Sequence, residues 1–196
     1  MTNKADSGLP KPVEHVSQCV AKTIEHLNQW VAKAKPVEHL EECVAKQVEH
    51  LNQCVVEALY EALACGDTGT VMGFLVPELE WRFHGPPRCQ HMMRVLTGES
   101  DHTDFRFLPK GITAVGSWVI VEGWEGEHAY WVHVWMLEEG VITQFREYFN
   151  TWIVVRELNP PVPAWETRGR RRGPTVWQSG QQEWPSRSLP GLVLAL

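Results

Sequence analysis

No apolar run in these 196 residues approaches the roughly 18 needed to cross a bilayer. The opening residues MTNKADSGLPKP hold no hydrophobic segment of the kind that marks a secretory signal. Neither a spanning segment nor a membrane partner is expected. An excess of basic residues is also missing. The net charge is −6, which argues against nucleic acid as a partner, because phosphate binding draws on a basic surface. Cysteine is sparse and unpatterned: Cys19, Cys43, Cys54, Cys65 and Cys89 are odd in number and show no CxxC spacing. That excludes a dense disulfide framework and points to free thiols in a reducing compartment, the cytoplasm with the nucleus also admitted.

What is present is enough to fold. Hydrophobic residues make up 43% and charged residues 21%, a balance that supports a buried core. Tryptophan is abundant, with ten copies, most of them at or after Trp81. After a polar leader (residues 1–12) the chain repeats itself. VEHVSQCVAKT and IEHLNQWVAKA are followed by a Lys35-Pro36 break, then by VEHLEECVAKQ and VEHLNQCVVEA. Apolar residues recur at the first, fourth and eighth positions of each eleven-residue unit, which is helical spacing and keeps a stripe nearly straight along a helix. Val13, Val16, Val20, Ile24, Leu27 and Val31 form one stripe. Val37, Leu40, Val44, Val48, Leu51 and Val55 form the other. Proline lacks an N–H and disfavours helix in the residue before it, so two helices with a bend between them are expected over 13–54. Helix pairing, within the chain or with a helical partner, is the role this implies.

The repeat also sets His and Cys four apart at His15/Cys19, His39/Cys43 and His50/Cys54. Such pairs project to one side of a helix and can ligate zinc or copper. In the second unit Trp30 replaces the cysteine, and on a helical wheel the pairs lie away from the Val/Leu stripe, near its edge. Duplication of an amphipathic unit copies its flanking residues with or without a metal. We therefore expect no metal and no cofactor, and keep these six residues as the alternative.

From Leu59 to Val155 the texture changes. A polar turn is expected at GDTG with a short helix after it, and another short helix in RCQHMMRVLTG, closed by Gly98. Strands are expected at LEWRFH, FRFLP, ITAVGSWVIVEGWE, HAYWVHVWML and VITQFREYFNTW, joined by turns such as EGE and EEG. This is an α+β pattern, with three helices packed on one face of an antiparallel sheet. The tail, 158–196, is rich in Pro and Gly and carries Arg168, Arg170, Arg171 and Arg172. It reads as mainly irregular.

The runs EWRFHGPP, HMMRVLTG and REYFNT, with the final VWQSGQQEWPSRSLPGLVLAL, resemble the plant wound-induced protein 1 family, within the nuclear-transport-factor-2-like (NTF2-like, SnoaL-like) superfamily. The resemblance covers Val55 to the C-terminus and leaves the duplicated helices as an extension. It implies an NTF2-like cone over 55–157: a strongly curved antiparallel sheet closed by three helices around a cavity. It also implies a homodimer formed through the sheet, and a wound-, senescence- or stress-associated role with no assigned reaction.

Catalytic relatives often carry a pocket acid in a pattern like W-x-D-P, where this chain has Trp81-Arg82-Phe83-His84. Many end their last strand R-x-Y-x-D, where this chain reads Arg146-Glu147-Tyr148-Phe149-Asn150. Phe83 cannot take a proton, and an Asn amide is no base at neutral pH. Both departures weigh towards a non-catalytic protein whose cavity takes a small apolar ligand or serves dimeric assembly. The alternative is an isomerase, cyclase or hydrolase using Glu147, His133 or Tyr148. Ordinary packing would instead pair Glu147 with Arg82 or another arginine and leave His133 a satisfied sheet histidine. By strand alternation, Val132, Val134 and Met136 are grouped with Phe145, Glu147 and Phe149, and Trp131, His133 and Trp135 with Arg146, Tyr148 and Asn150. The expected cavity lining is Trp81, Phe83, Val132, Val134, Met136, Phe145, Glu147, Phe149 and Asn150. A bulge between the strands would mix the two groups.

Overall fold

The structure, a computed structural model, describes residues 12–32, 40–99, 105–157, 173–180 and 188–196. Helix α1 (Pro12–Ala32) starts on a proline, the residue best tolerated at a first helical position. Helix α2 (Leu40–Cys65) runs unbroken from the third repeat unit into the domain and stops where Gly66 turns to φ 68°. The leader up to residue 11, the Pro36 bend, His39 and Arg168 to Arg172 lie outside the described residues.

The two helices do not meet through the Val/Leu stripe. Cys19, Thr23 and Cys54 are buried, whereas Val13, Val20, Ile24, Val44 and Val48 are exposed. The physical reason lies further along α2. Val55, Val56, Leu59, Tyr60, Ala62 and Leu63 are all buried against the sheet, and a rigid helix can present only one rotation. The apolar half of α2 sets that rotation, and α1 packs on the flank that remains. Antiparallel pairing of two repeat copies also brings equivalent positions together: Cys19 and Cys54 form a disulfide, contrary to the expectation of free thiols throughout. Cys43, Cys65 and Cys89 are free.

Beyond α2, helix α3 (Thr68–Gly73) is capped by Asp67, whose carboxylate accepts from the Thr70 N–H at 3.0 Å. Strand β1 (Leu75–His84) and helix α4 (His91–Leu96) follow. Then come β2 (Pro109–Val115), β3 (Trp118–Glu125), β4 (Ala129–Glu138) and β5 (Val141–Phe149). They make a curved five-stranded sheet in the order β1-β5-β4-β3-β2. The meander β2 to β5 is antiparallel as expected, but β1 joins β5 in parallel. FRFLP is not a strand; Phe105 and Phe107 are instead buried in the inner core.

The turn Glu139-Gly140 has positive φ at both residues, the geometry that matches the twist of a tight hairpin. It pairs Leu137 with Ile142, but the next pair is Met136 with Gln144. Thr143 is therefore an extra residue on β5, and everything beyond it changes partner. Trp131, His133 and Trp135 pair with Phe149, Glu147 and Phe145, not with Tyr148 and Arg146. The two groupings drawn from strand alternation are thereby exchanged, as a bulge requires.

The tail is the largest departure. Strands β6 (Trp152–Arg156), β7 (Thr175–Gln178) and β8 (Gly191–Ala195) form a second sheet in the order β7-β6-β8. Its Ile153 and Val155, with Trp177, Leu192 and Leu194, pack on the outer face of the main sheet against Ile120, Tyr130, Val132, Val134 and Tyr148. The two sheets and the helices thus enclose two cores. One lies inside the curve under α2 to α4 and the other outside it.

Candidate functional site

Aromatic rings fill the inner core. Trp135 stacks on Phe145 at 4.0 Å, Phe107 lies 5.4 Å from Trp131 and 5.0 Å from His133, and Phe105 lies 4.4 Å from His91. Trp131 sits flat against Gly123, where any side chain would collide with its ring. Within this apolar packing the sheet places two of the residues singled out from sequence directly opposite each other, His133 on β4 and Glu147 on β5. Each is at most 1% exposed.

Helix α2 contributes a third polar group, one that sequence reasoning missed. The Tyr60 hydroxyl accepts from the Trp135 indole N–H at 3.2 Å and lies 2.6 Å from His133 Nδ1. Its own hydrogen needs an acceptor, so it donates to Nδ1, and the donor count puts the imidazole proton on Nε2. Burial holds His133 well below the ordinary histidine value, consistent with a neutral ring, and pushes the Tyr60 phenol well above its own. The signal available in the sequence was a lone tyrosine among the Ala and Leu residues of LYEALAC.

Glu147 Oε1 accepts from the Met92 N–H in the first turn of α4 at 2.9 Å. Burial raises the carboxyl to about 7. The N–H groups of Met92, Met93 and His91 oppose that rise, as does the Trp81 indole, which favours the charged form without closing to a formed hydrogen bond. Arg82, the expected ion-pair partner of Glu147, pairs with Glu80 at 2.7 Å instead. Four buried polar atoms on this inner face have no partner: Trp81 Nε1, Trp131 Nε1, His133 Nε2 and Glu147 Oε2. Three are donors, and Glu147 Oε2 donates while the carboxyl keeps its proton and accepts once it ionises.

The other expected lining residues divide between the two cores. Trp81, Phe83, Phe145 and Phe149 belong to the inner core. Val132 and Val134 belong to the outer one, and Met136 shares their side because it pairs with Trp118 and Gln144. Tyr148, a candidate proton carrier, is also outside, where His84 stacks on it at 5.3 Å. Asn150 holds the end of the hairpin: its Oδ1 accepts from the Tyr130 N–H at 3.0 Å, and its own N–H donates to the Tyr130 carbonyl at 2.7 Å. Each misplacement follows from the extra residue Thr143 or from the turn at Asn150, where φ is 51°.

Two clefts flank the buried group. One, of about 490 Å³, is lined by Trp81, Arg88, Gln90, Met93 and Arg94. The other, of about 300 Å³, runs along Leu63, Val95, Phe105 and Phe107. Among the described residues no helix is long and apolar enough to cross a membrane.

A model of the wound-induced protein WI12 family matches residues 93–196, from within α4 to the last residue, and so takes in the second sheet. The chain belongs to the WI12 family. It is 42% identical over 107 residues to wound-induced protein 1 of Solanum tuberosum, a match that covers 53% of this chain and all of that protein. It is 36% identical over 112 residues to senescence associated gene 20 of Arabidopsis thaliana, again over 53% of this chain and all of the relative. Among solved structures it is similar to an NTF2-like protein of unknown function from Burkholderia pseudomallei. That similarity is 20% in identity with a TM-score of 0.40, and it covers 50% of this chain and 89% of the other.

Proposed function

We propose that this WI12-family protein is a wound- or senescence-associated binder of one small, mainly apolar molecule, and that it does not turn that molecule over. The carrying observation is the set of unpartnered polar atoms at Trp81, Trp131, His133 and Glu147 inside an aromatic core. A buried donor or acceptor left unpaired costs about 1–3 kcal/mol, and an apolar molecule bearing a carbonyl or hydroxyl oxygen would relieve that cost. Its body would lie in the cleft along Leu63, Val95, Phe105 and Phe107, with the oxygen turned past Phe107 towards His133. Binding without turnover is supported by Phe83 standing at the usual acid position, and by Glu147 being occupied with the Met92 N–H.

Native mass spectrometry of full-length protein purified from a plant host tests the reading. One apolar molecule per chain is expected, retained by the parent and depleted in His133→Phe. A chain that is ligand-free from several extracts overturns it. The second reading, proton-transfer catalysis, is favoured by a carboxyl at about 7 directly across from a neutral His133. Turnover of the released molecule, abolished in Glu147→Gln, would select it. A homodimer also belongs to this proposal, to be read by light scattering. Strands β6 and β8 of the same chain pack on the outer face of the main sheet, and the proposed dimer contact would use another surface.

A further inference from the structure

The duplication sets His and Cys four apart in three of its four units, and the helix hairpin selects among them. The Gln47 amide lies 2.9 Å from His26 Nδ1. Seven residues earlier in α1 and seven later in α2, Cys19 meets Cys54. The second unit carries Trp30 where the other three carry a cysteine. Cys43, in the third unit, is free. One turn before Cys54, His50 Nε2 lies 3.9 Å from the Cys54 sulfur. The ligand atoms of Cys19, His50 and Cys54 all fall within 4.8 Å of one another. Both cysteines are buried and His50 is exposed, which gives the cluster a mouth to solvent. His15, the matching histidine on α1, is turned instead towards Glu57 and Glu61, at 3.8 Å from each.

We propose that Cys19, Cys54 and His50 form a redox-gated site for a thiophilic cation, occupied by Zn²⁺ when the cysteines are reduced. A dithiol reductant attacks the disulfide and leaves as its own cyclic disulfide. Two electrons and two protons thereby end on the sulfurs of Cys19 and Cys54. Zn²⁺ then takes both thiolates and the Nε2 lone pair of His50, releases the two thiol protons to solvent, and keeps water in its fourth position. Tetrahedral Zn–S bonds of about 2.3 Å set the sulfurs roughly 3.8 Å apart. Backbones already 6.5 Å apart at Cα accommodate this with side-chain rotation. Oxidation removes both thiolates, so the disulfide and the metal exclude each other. The nearby Glu57 and Glu61 add negative potential that favours a cation.

The test uses the full chain, reduced with dithiothreitol without oxygen, desalted and titrated with Co²⁺ as a spectroscopic stand-in for Zn²⁺. One equivalent is expected to give sulfur-to-cobalt charge-transfer absorption and tetrahedral d–d bands, both erased when Zn²⁺ is added. Cys54→Ser should lose the charge-transfer band. His50→Ala should bind roughly tenfold more weakly or worse, the scale seen even for partners outside the coordination shell. Cys43→Ser should match the parent, and the oxidised chain should bind no cobalt. Three results overturn the proposal: no thiolate–cobalt band in the reduced parent, a band that survives in Cys54→Ser, or unchanged affinity in His50→Ala. His50 is on the surface, so that last variant still decides the matter where Cys54→Ser fails to fold.

Discussion

On its outer face the main sheet offers Ile120, Val132, Val134 and Tyr148 to a second sheet built from the same chain. On its inner face it offers Trp131, His133, Trp135, Phe145 and Glu147 to α2 and α4. Polar groups between the two sheets are mostly paired, with Arg146 Nε left without a hydrogen-bond partner. The Tyr130 hydroxyl donates to Glu122 at 2.6 Å, the Ser179 hydroxyl accepts from the Ile153 N–H at 2.9 Å, and Arg146 lies over the Trp118 ring at 4.8 Å. The inner face keeps four polar atoms unpaired behind a shell of aromatic rings. Burial of comparable depth has therefore been used in two ways. The outer face is closed by packing and mostly matched hydrogen bonds, while the inner face holds a neutral histidine and a high-pKa carboxyl. Groups shifted in this way cluster at functional sites.

Removing the cover of one face breaks the comparison most severely. A chain ended at residue 157 lacks β7 and β8 and exposes the outer-face valines. It should lose most of the roughly 5–15 kcal/mol that holds a domain together, seen as insoluble protein or a lost cooperative thermal transition. Inserting one residue between Gln144 and Phe145 attacks the boundary between the faces. With that insertion, Phe145 and Glu147 exchange sides with Arg146 and Tyr148, so charged groups enter the wrong cores. Collapse of the near-ultraviolet circular dichroism of the buried tryptophans is the expected result.

Glu147→Gln sharpens the comparison through pH. Glu147 keeps its proton in the folded chain up to about 7, against an ordinary value of 4.5. The stability it contributes is fully present below about 4.5 and is lost as the pH rises through about 7. That gap corresponds to about 3 kcal/mol, and the Gln variant should lack this slope in urea midpoints measured across the window. His133 has the opposite sign. Its folded value is depressed, so its contribution is present above about 6.5 and is lost as the pH falls. The parent chain should therefore show a flatter profile between about 4.5 and 6.5 than a His133→Phe chain, which keeps only the Glu147 slope.

The smallest effect is expected from Tyr60→Phe. It takes a partner from both the Trp135 N–H and His133 Nδ1 without opening a void, at about 1–3 kcal/mol. Chemical denaturation with an unchanged slope would report it. A cost near zero would show that the inner polar groups have no larger energetic role than those outside.

Much of this was legible from the chain alone. The eleven-residue period fixes two helices, alternating β-branched and aromatic residues fix the meander, and Glu139-Gly140 fixes the hairpin turn. Local stereochemistry decides each of these, since side-chain periodicity and positive φ are properties of a few consecutive residues. Glu147 and His133 stood out for a related reason, as ionisable groups within strongly apolar strands. Three other outcomes needed the fold. One extra residue, Thr143, reassigned the faces of β5, because strand register has period two and a single insertion reverses it. The tail became a second sheet because its strands β7 and β8 find their partner in β6, many residues away. Cys19 met Cys54 because α2 is locked in rotation by its own far end, and no spacing along either repeat carries that constraint.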